Sequence, residues 1–170
     1  MRVLGIDPGT AVLGFGVVET GAGRHPRLLE CGTLTTPPGD SLPARLRVIH
    51  EGIAALLDRH QPDAMAVESA FYGKNVRTTV VLSHARGVIL LAAEQRSVPV
   101  AEYSPAQVKK TIVGRGAALK PQVGYMVAQL LRLKSAPQPS DAADGVAVAL
   151  THLIVSSRQT AFFRQITGAR

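Results

Sequence analysis

The stretch Arg2-Val3-Leu4-Gly5-Ile6-Asp7-Pro8-Gly9-Thr10, followed by Gly14-Phe15-Gly16-Val17-Val18, sets the strongest constraint on what this chain can become. The two short Val- and Ile-containing runs read as buried strands, and Pro8-Gly9 ends the first in a turn that returns the chain through the second. Asp7 then stands where a core strand stops. An ionised carboxylate beside an apolar core needs a cap, a partner or a cation, because leaving it unpaired is expensive. Asp-Pro-Gly also forms turns in its own right, so the meaning of Asp7 depends on where the other acids fall.

The rest of the chain alternates strand and helix patterns. Gly21-Ala22-Gly23 and the run Leu28 to Leu34 extend the first hairpin to a three-stranded antiparallel meander. After a loop over 35–40, in which Asp40 or Ser41 is placed to cap, Leu42, Leu46, Ile49, Ile53, Leu56 and Leu57 recur at helical spacing as far as about His60. Ala64-Met65-Ala66-Val67-Glu68 is a fourth strand and, like the first, it ends in an acid. Residues 69–79 read as a loop leading into a helix from Val80 to about Gln95, whose apolar positions cover more than one stripe. One side of that helix is expected on the sheet and the other on a partner subunit.

Val98 to Tyr103 is a fifth strand. Ser104-Pro105 opens a helix through Val108 and Ile112, Lys120-Pro121 leads into another, and Ser140 is expected to cap a last one from Asp141 to about Ser156. Helices between strands are the mark of right-handed crossovers joining parallel strands. The expected fold is therefore α/β: a five-stranded mixed sheet, three antiparallel strands and then two parallel ones, flanked by helices. A chain of 170 residues suits one domain, here expected over 1–157, with 158–170 a loosely held C-terminal tail.

Nineteen Lys and Arg against twelve Asp and Glu leave a net charge of +7, which favours polyanionic partners such as nucleic acid. The lone Cys31 excludes an internal disulfide and a Cys-based zinc site. No signal-peptide pattern and no run long enough to span a bilayer stand out, so a cytoplasmic location is expected.

Asp141 and Asp144 lie three apart in the first turn of the last helix and project from one face. By themselves they need do no more than favour the positive end of the helix dipole. Asp7 and Glu68, however, end parallel-type strands, and ligands of such sheets bind at the strands' carboxyl ends. Four carboxylates gathered there repel by about 4 kcal/mol per pair at 4 Å and an effective dielectric near 20. Such a group requires cations, and all-oxygen ligands suit Mg²⁺ or Mn²⁺. In a basic chain the chemistry that follows is two-metal phosphodiester hydrolysis.

Leu4-Gly5-Ile6-Asp7-Pro8-Gly9, Val67-Glu68 with Phe71, Gln107-Val108-Lys109 with Val113-Gly114, and Asp141-Ala142-Ala143-Asp144 leading to Thr151-His152 together resemble the RuvC family of Holliday-junction resolvases, in order and over most of the chain. The resemblance implies an RNase H-like fold, a homodimer, and a divalent-metal-dependent endonuclease that nicks two opposite strands of a four-way DNA junction in recombination and repair, leaving 5′ phosphates. It implies Asp7, Glu68, Asp141 and Asp144 as catalytic ligands of two Mg²⁺ per subunit, with Mn²⁺ as a substitute. Lys109 and Lys120 match basic residues near the cleaved phosphate, and Phe71 matches an aromatic near the junction centre. Tyr72, Lys74, Asn75, Arg77, Arg86, Lys110 and Arg115 are further candidates for DNA contacts. The branch-migration proteins RuvA and RuvB are the partners that the family implies.

Three other readings stay open at the level of sequence. One is an RNase H-like relative acting on RNA. Another is a phosphate-loop ATPase, because Asp7-Pro8-Gly9-Thr10 with Gly14 to Gly16 also resembles the first phosphate loop of sugar kinases and actin-like ATPases. The last is a junction-binding protein with an inactive site.

Overall fold

The computed structural model describes residues 1–20, 25–69 and 76–167, and the side chains of these except Arg77 and 158–167. Strands β1 (Arg2–Asp7), β2 (Val12–Thr20) and β3 (Pro26–Thr35) form the meander. Helix α1 (Leu42–His60) crosses to β4 (Ala64–Glu68), α2 (Val76–Glu94) crosses to β5 (Val100–Tyr103), and α3 (Pro105–Val113), α4 (Lys120–Leu131) and α5 (Ser140–Thr167) follow. The sheet order is β3-β2-β1-β4-β5, with β1 and β2 antiparallel, β2 and β3 antiparallel, and β1, β4 and β5 parallel. This is the sheet expected from the sequence. Ile6 lies opposite Val67 in the β1–β4 pair, so Asp7 and Glu68 leave the sheet side by side at its carboxyl end.

Alternation along the strands gives each sheet face its own core. Leu4, Ile6, Phe15, Met65 and Val67 pack under Ile49, Ile53, Leu56 and Leu57 of α1 and Ala85, Ile89, Ala92 and Ala93 of α2. Val3, Val18 and Ala66 turn to the opposite face, where Val108 and Ile112 of α3, Val123, Val127 and Leu131 of α4, and Val146 to Leu150 of α5 cover them. Each large side chain fully buried in this way contributes about 1.5–3 kcal/mol.

Helix α5 lies closer to the sheet than side chains would allow, because glycines line its seat. Gly5 is paired with Gly16, and Gly14 with Asp7. A Cβ at Gly16 would lie 2.6 Å from Val146 Cα, one at Gly5 would lie 2.7 Å from Ala149 Cβ, and one at Gly14 would strike the Asp141 carbonyl. The helix answers with Gly145, where a Cβ would lie 2.6 Å from Phe15 Cα. Real Cβ contacts are never so short, so the seat exists only while these positions are glycine.

Several boundaries differ from the sequence expectation. Helix α5 does not stop near Ser156 but runs to Thr167, so the supposed tail is helical as far as that residue. Residues 156–167 contain neither Gly nor Pro, so no breaker interrupts the helix there. Ser140 is the first residue of α5 rather than its cap. Ser41 occupies the N-cap position of α1 without a side-chain cap bond. Helix α2 opens at Val76, four residues before Val80, which shortens the loop expected over 69–79. Ser104 fulfils its expected role: its Oγ accepts from the Gln107 N–H at 3.2 Å, and Gln107 Oε1 accepts from the Ser104 N–H at 2.8 Å. Such a reciprocal cap satisfies two otherwise orphaned donors.

Candidate metal centre

The carboxyl end of β1 presents Asp7 on the face that carries α5, and the first turn of α5 presents Asp141 and Asp144 toward it. Oxygen atoms of these three acids lie within 4.8 Å of one another. Three carboxylates converge there because the glycine seat draws α5 onto β1 and β2. Glu68, one strand over, is not among the three but lines the same two cavities as Asp7. One cavity, of about 160 Å³, is bounded by Asp7, Glu68, Lys109, Lys120, Val123 and Asp144. The other, of about 250 Å³, lies beyond Asp7 and Glu68 toward Ser69, Leu82 and Arg86.

The electrostatics are those of an acid cluster short of positive charge. Burial, then the neighbouring Asp144 and Asp141, push the Asp7 carboxyl up to about 6. Burial, then Asp7 and Asp144, push Glu68 up to about 7. Lys120 and Lys109 oppose the rise at Glu68, and Lys120 opposes it at Asp7. Lys120 Nζ donates to Asp144 Oδ2 at 2.6 Å, and this bond holds the ammonium above its ordinary range. Oxygen-only donors, partly buried and close together, fit a small hard divalent cation, which would offset the burial and the repulsion that raise Asp7 and Glu68.

The other candidates fall into separate places. Lys109 lines the acid cleft, whereas Lys110 and Arg115 are exposed on α3 and the turn after it. Arg86 lines the second cavity while donating to both Glu102 oxygens at 2.6 and 2.7 Å. Its guanidinium is therefore engaged in the protein itself. Phe71, Tyr72, Lys74 and Asn75 lie outside the described residues, as does the Arg77 side chain.

Sequence reasoning did not find the glycine seat, although Gly5, Gly14 and Gly16 fall on one pleat face and could have signalled a close approach. It also did not find that His152 ties α5 to β5. The Tyr103 hydroxyl and His152 Nδ1 are 2.8 Å apart, and Tyr103 pairs with Glu68 in the sheet. Burial pushes the His152 imidazole below its ordinary range.

A five-stranded sheet of this order, with acids at the carboxyl ends of its adjacent parallel strands and at the start of the last helix, defines an RNase H-like α/β protein of the resolvase class. The family model of the crossover junction endodeoxyribonuclease RuvC matches residues 3–152, and the chain belongs to that family. It is 48% identical to the crossover junction endodeoxyribonuclease RuvC of Syntrophomonas wolfei over 90% of this chain and 88% of the relative. It is 49% identical to that of Chloroflexus aurantiacus over 89% of this chain and 92% of the relative. Among solved structures, Thermus thermophilus RuvC superposes with a TM-score of 0.85 at 40% identity, covering 94% of this chain and 98% of that one. The same TM-score, at 37% identity over 93% and 96% of the two chains, is reached by T. thermophilus RuvC in complex with a Holliday junction substrate. The yeast mitochondrial Holliday junction resolvase Ydc2 shares the fold with a TM-score of 0.69 at 15% identity.

Proposed function

We propose that this protein is a structure-selective DNA endonuclease that resolves Holliday junctions by paired, metal-dependent hydrolysis of two opposite strands, in recombination and repair. The observation that carries the reading is the convergence of Asp7, Asp141 and Asp144 beside Lys109 and Lys120 in a chain of the RuvC family. The family assignment favours DNA junctions over the RNA-acting and ATPase readings.

Asp7, Glu68, Asp141 and Asp144 would hold two Mg²⁺ per subunit, with Mn²⁺ able to substitute. When bound, such ions supply an activated water and charge stabilisation at the leaving oxygen. The chain's own part is to place the oxygen ligands and to keep them from collapsing apart. Lys120 holds Asp144 and, with Lys109, puts positive charge where a phosphodiester enters the cleft. Pro105, Val108, Val123 and Ala147 give the same cleft an apolar wall beside the acids. The products are 5′-phosphate, ligatable nicks. Phe71, Tyr72, Lys74, Asn75, Arg77, Arg86, Lys110 and Arg115 are proposed to contact the junction.

Paired cuts require two centres, and the proposed assembly is a homodimer of single RNase H-like domains spanning 1–157. Helix α2 supports it: Val76, Val80, His84, Gly87 and Leu91 follow at helical spacing and are all exposed, with Val76 at 75% and Leu91 at 50%. RuvA and RuvB remain the proposed motor partners. No helix among the described residues is long and apolar enough to cross a membrane, and the proposed location is the cytoplasm.

The test is a strand-resolved cleavage assay on a mobile four-way junction with Mg²⁺ and then Mn²⁺. Paired ligatable nicks by the intact protein, lost in Asp7→Asn and Glu68→Gln while junction binding persists, are the expected result. Cutting that survives in either variant overturns the assignment.

A further inference from the structure

From Tyr103 to Ser140 the chain contains no Asp or Glu, yet it carries Lys109, Lys110, Arg115, Lys120, Arg132 and Lys134. The segment folds as α3, α4 and their connections, one wing of the molecule. Among the described residues, only two of these side chains make hydrogen bonds: Lys120 with Asp144, and Arg132 with His25 at 2.9 Å. Uncompensated positive charge gathered on one wing attracts a polyanion.

The same wing exposes apolar surface where a helix normally shows polar residues. Leu119 is 68% and Tyr125 62% exposed. Val113, Pro121, Gln122, Tyr125 and Met126 line an open cavity of about 350 Å³. Pro121 and Tyr125 are one turn apart on α4, and Val113 closes the cavity from the end of α3, just before the Gly114 turn that leads to Arg115. On the adjoining face of α4, Lys120 and Val123 line the acid cleft. The apolar shelf and the metal centre are thus neighbouring faces of a single helix.

We propose that this shelf is a second nucleic-acid contact: it takes the flat face of a nucleobase or deoxyribose of the strand being cut, with Tyr125 as the stacking surface and Lys110 and Arg115 on the flanking phosphates. Aromatic surface flanked by Lys and Arg is how proteins hold unpaired nucleotides. The proposal rests on the resolvase reading and adds a site that the acid cluster does not require.

Binding of a fluorescent four-way junction is measured in EDTA, so that no strand is cut, with 2-aminopurine placed next to the cleavage position. Tyr125→Ala is expected to weaken binding by about 5- to 100-fold and to abolish quenching of the 2-aminopurine, while Tyr125→Phe retains both. The salt dependence of binding stays unchanged in Tyr125→Ala but loses about one ion in Lys110→Ala. An unchanged thermal midpoint shows that the exposed substitution leaves the fold intact. Binding within two-fold of the intact protein with normal quenching in Tyr125→Ala overturns the shelf, as a protein-docking surface would. If the intact protein does not prefer the junction to linear duplex, the resolvase reading falls, and the same Tyr125 contrast on a duplex with an unpaired overhang decides the shelf separately.

Discussion

Lys120 Nζ lies 2.6 Å from Asp144 Oδ2, so the first turn of α4 supplies a cation to an acid cluster built by β1 and α5. A lysine there competes with a divalent ion for the same oxygen. At about 6 Å in water-like surroundings, a unit charge and a divalent ion repel by on the order of 1 kcal/mol. Lys120→Met is therefore expected to bind Mn²⁺ several-fold more tightly by calorimetry, yet to cut junctions at least ten-fold more slowly because the phosphate loses its positive neighbour. Weaker metal binding in this variant would show that Lys120 organises the cluster instead of competing with it.

The acids make the metal-free protein less stable as pH rises. Asp7 and Glu68 titrate near 6 and 7 in the fold, above the ordinary carboxylate values of 3.8 and 4.5 that the unfolded chain has. The folded state thus binds more protons between about pH 4 and 7, and stability present at pH 4 is lost as pH climbs through 6 and 7. Metal-free protein is expected to melt at lower temperature at pH 7.5 than at pH 5.5, and Mg²⁺ is expected to remove most of that difference. Asp7→Asn should raise the metal-free melting temperature at pH 7.5 while abolishing cutting. A melting temperature indifferent to pH and to this substitution would contradict the electrostatic account.

Cutting should follow the same groups with the opposite sign. Ligands must shed their protons to hold a cation, so at low Mg²⁺ the cleavage rate is expected to rise between about pH 6 and 7.5. Raising Mg²⁺ should move that rise to lower pH, because metal and proton compete. Single-turnover rates across a grid of pH and Mg²⁺ concentration test this, and a midpoint independent of metal would argue against direct competition. Chelation by EDTA should stop cutting reversibly without unfolding the protein.

The glycine seat makes a structural prediction remote from any charge. Gly5→Ala and Gly14→Ala insert a methyl group into the backbone of α5. Each is expected to cost about 3 kcal/mol or more in stability, or roughly 6–12 °C in melting temperature for a chain of this size. Because the seat sets the distance from Asp7 to Asp141 and Asp144, cutting should also fall at least ten-fold at temperatures where the variant is fully folded. Full activity in a folded Gly14→Ala protein would separate the seat from the site.

The stripe on α2 predicts an assembly. Val80→Asp places a charge in the middle of the exposed run from Val76 to Leu91, and light scattering is expected to show loss of dimer with a melting temperature little changed at the monomer level. Coordinated cutting of two strands should fall away while nicking of one strand persists. A variant that remains dimeric would place the interface elsewhere.

Much of this protein is written locally in its sequence. Alternation and apolar runs mark β1 to β5, helical spacing marks α1, α3 and α4, Ser104-Pro105-Ala106-Gln107 encodes a cap, and acids at the ends of β1 and β4 mark a site. These features act within a few residues, through φ/ψ preference, side-chain periodicity and capping bonds, and so they can be read in order along the chain. That Asp7, Asp141 and Asp144 meet is expected from strand order and the family resemblance, but their 4.8 Å spacing, the Lys120–Asp144 bond and the exposure of Tyr125 beside the acid cleft could not be read so. They arise only when α5 settles on Gly5, Gly14 and Gly16, a contact between opposite ends of the chain that no local preference specifies. The course of α5 to Thr167 sits between the two cases, since the missing breaker is visible in the sequence but outweighed there by a fading apolar stripe. Residue types supplied the chemistry, and close packing of backbone on backbone decided where it meets.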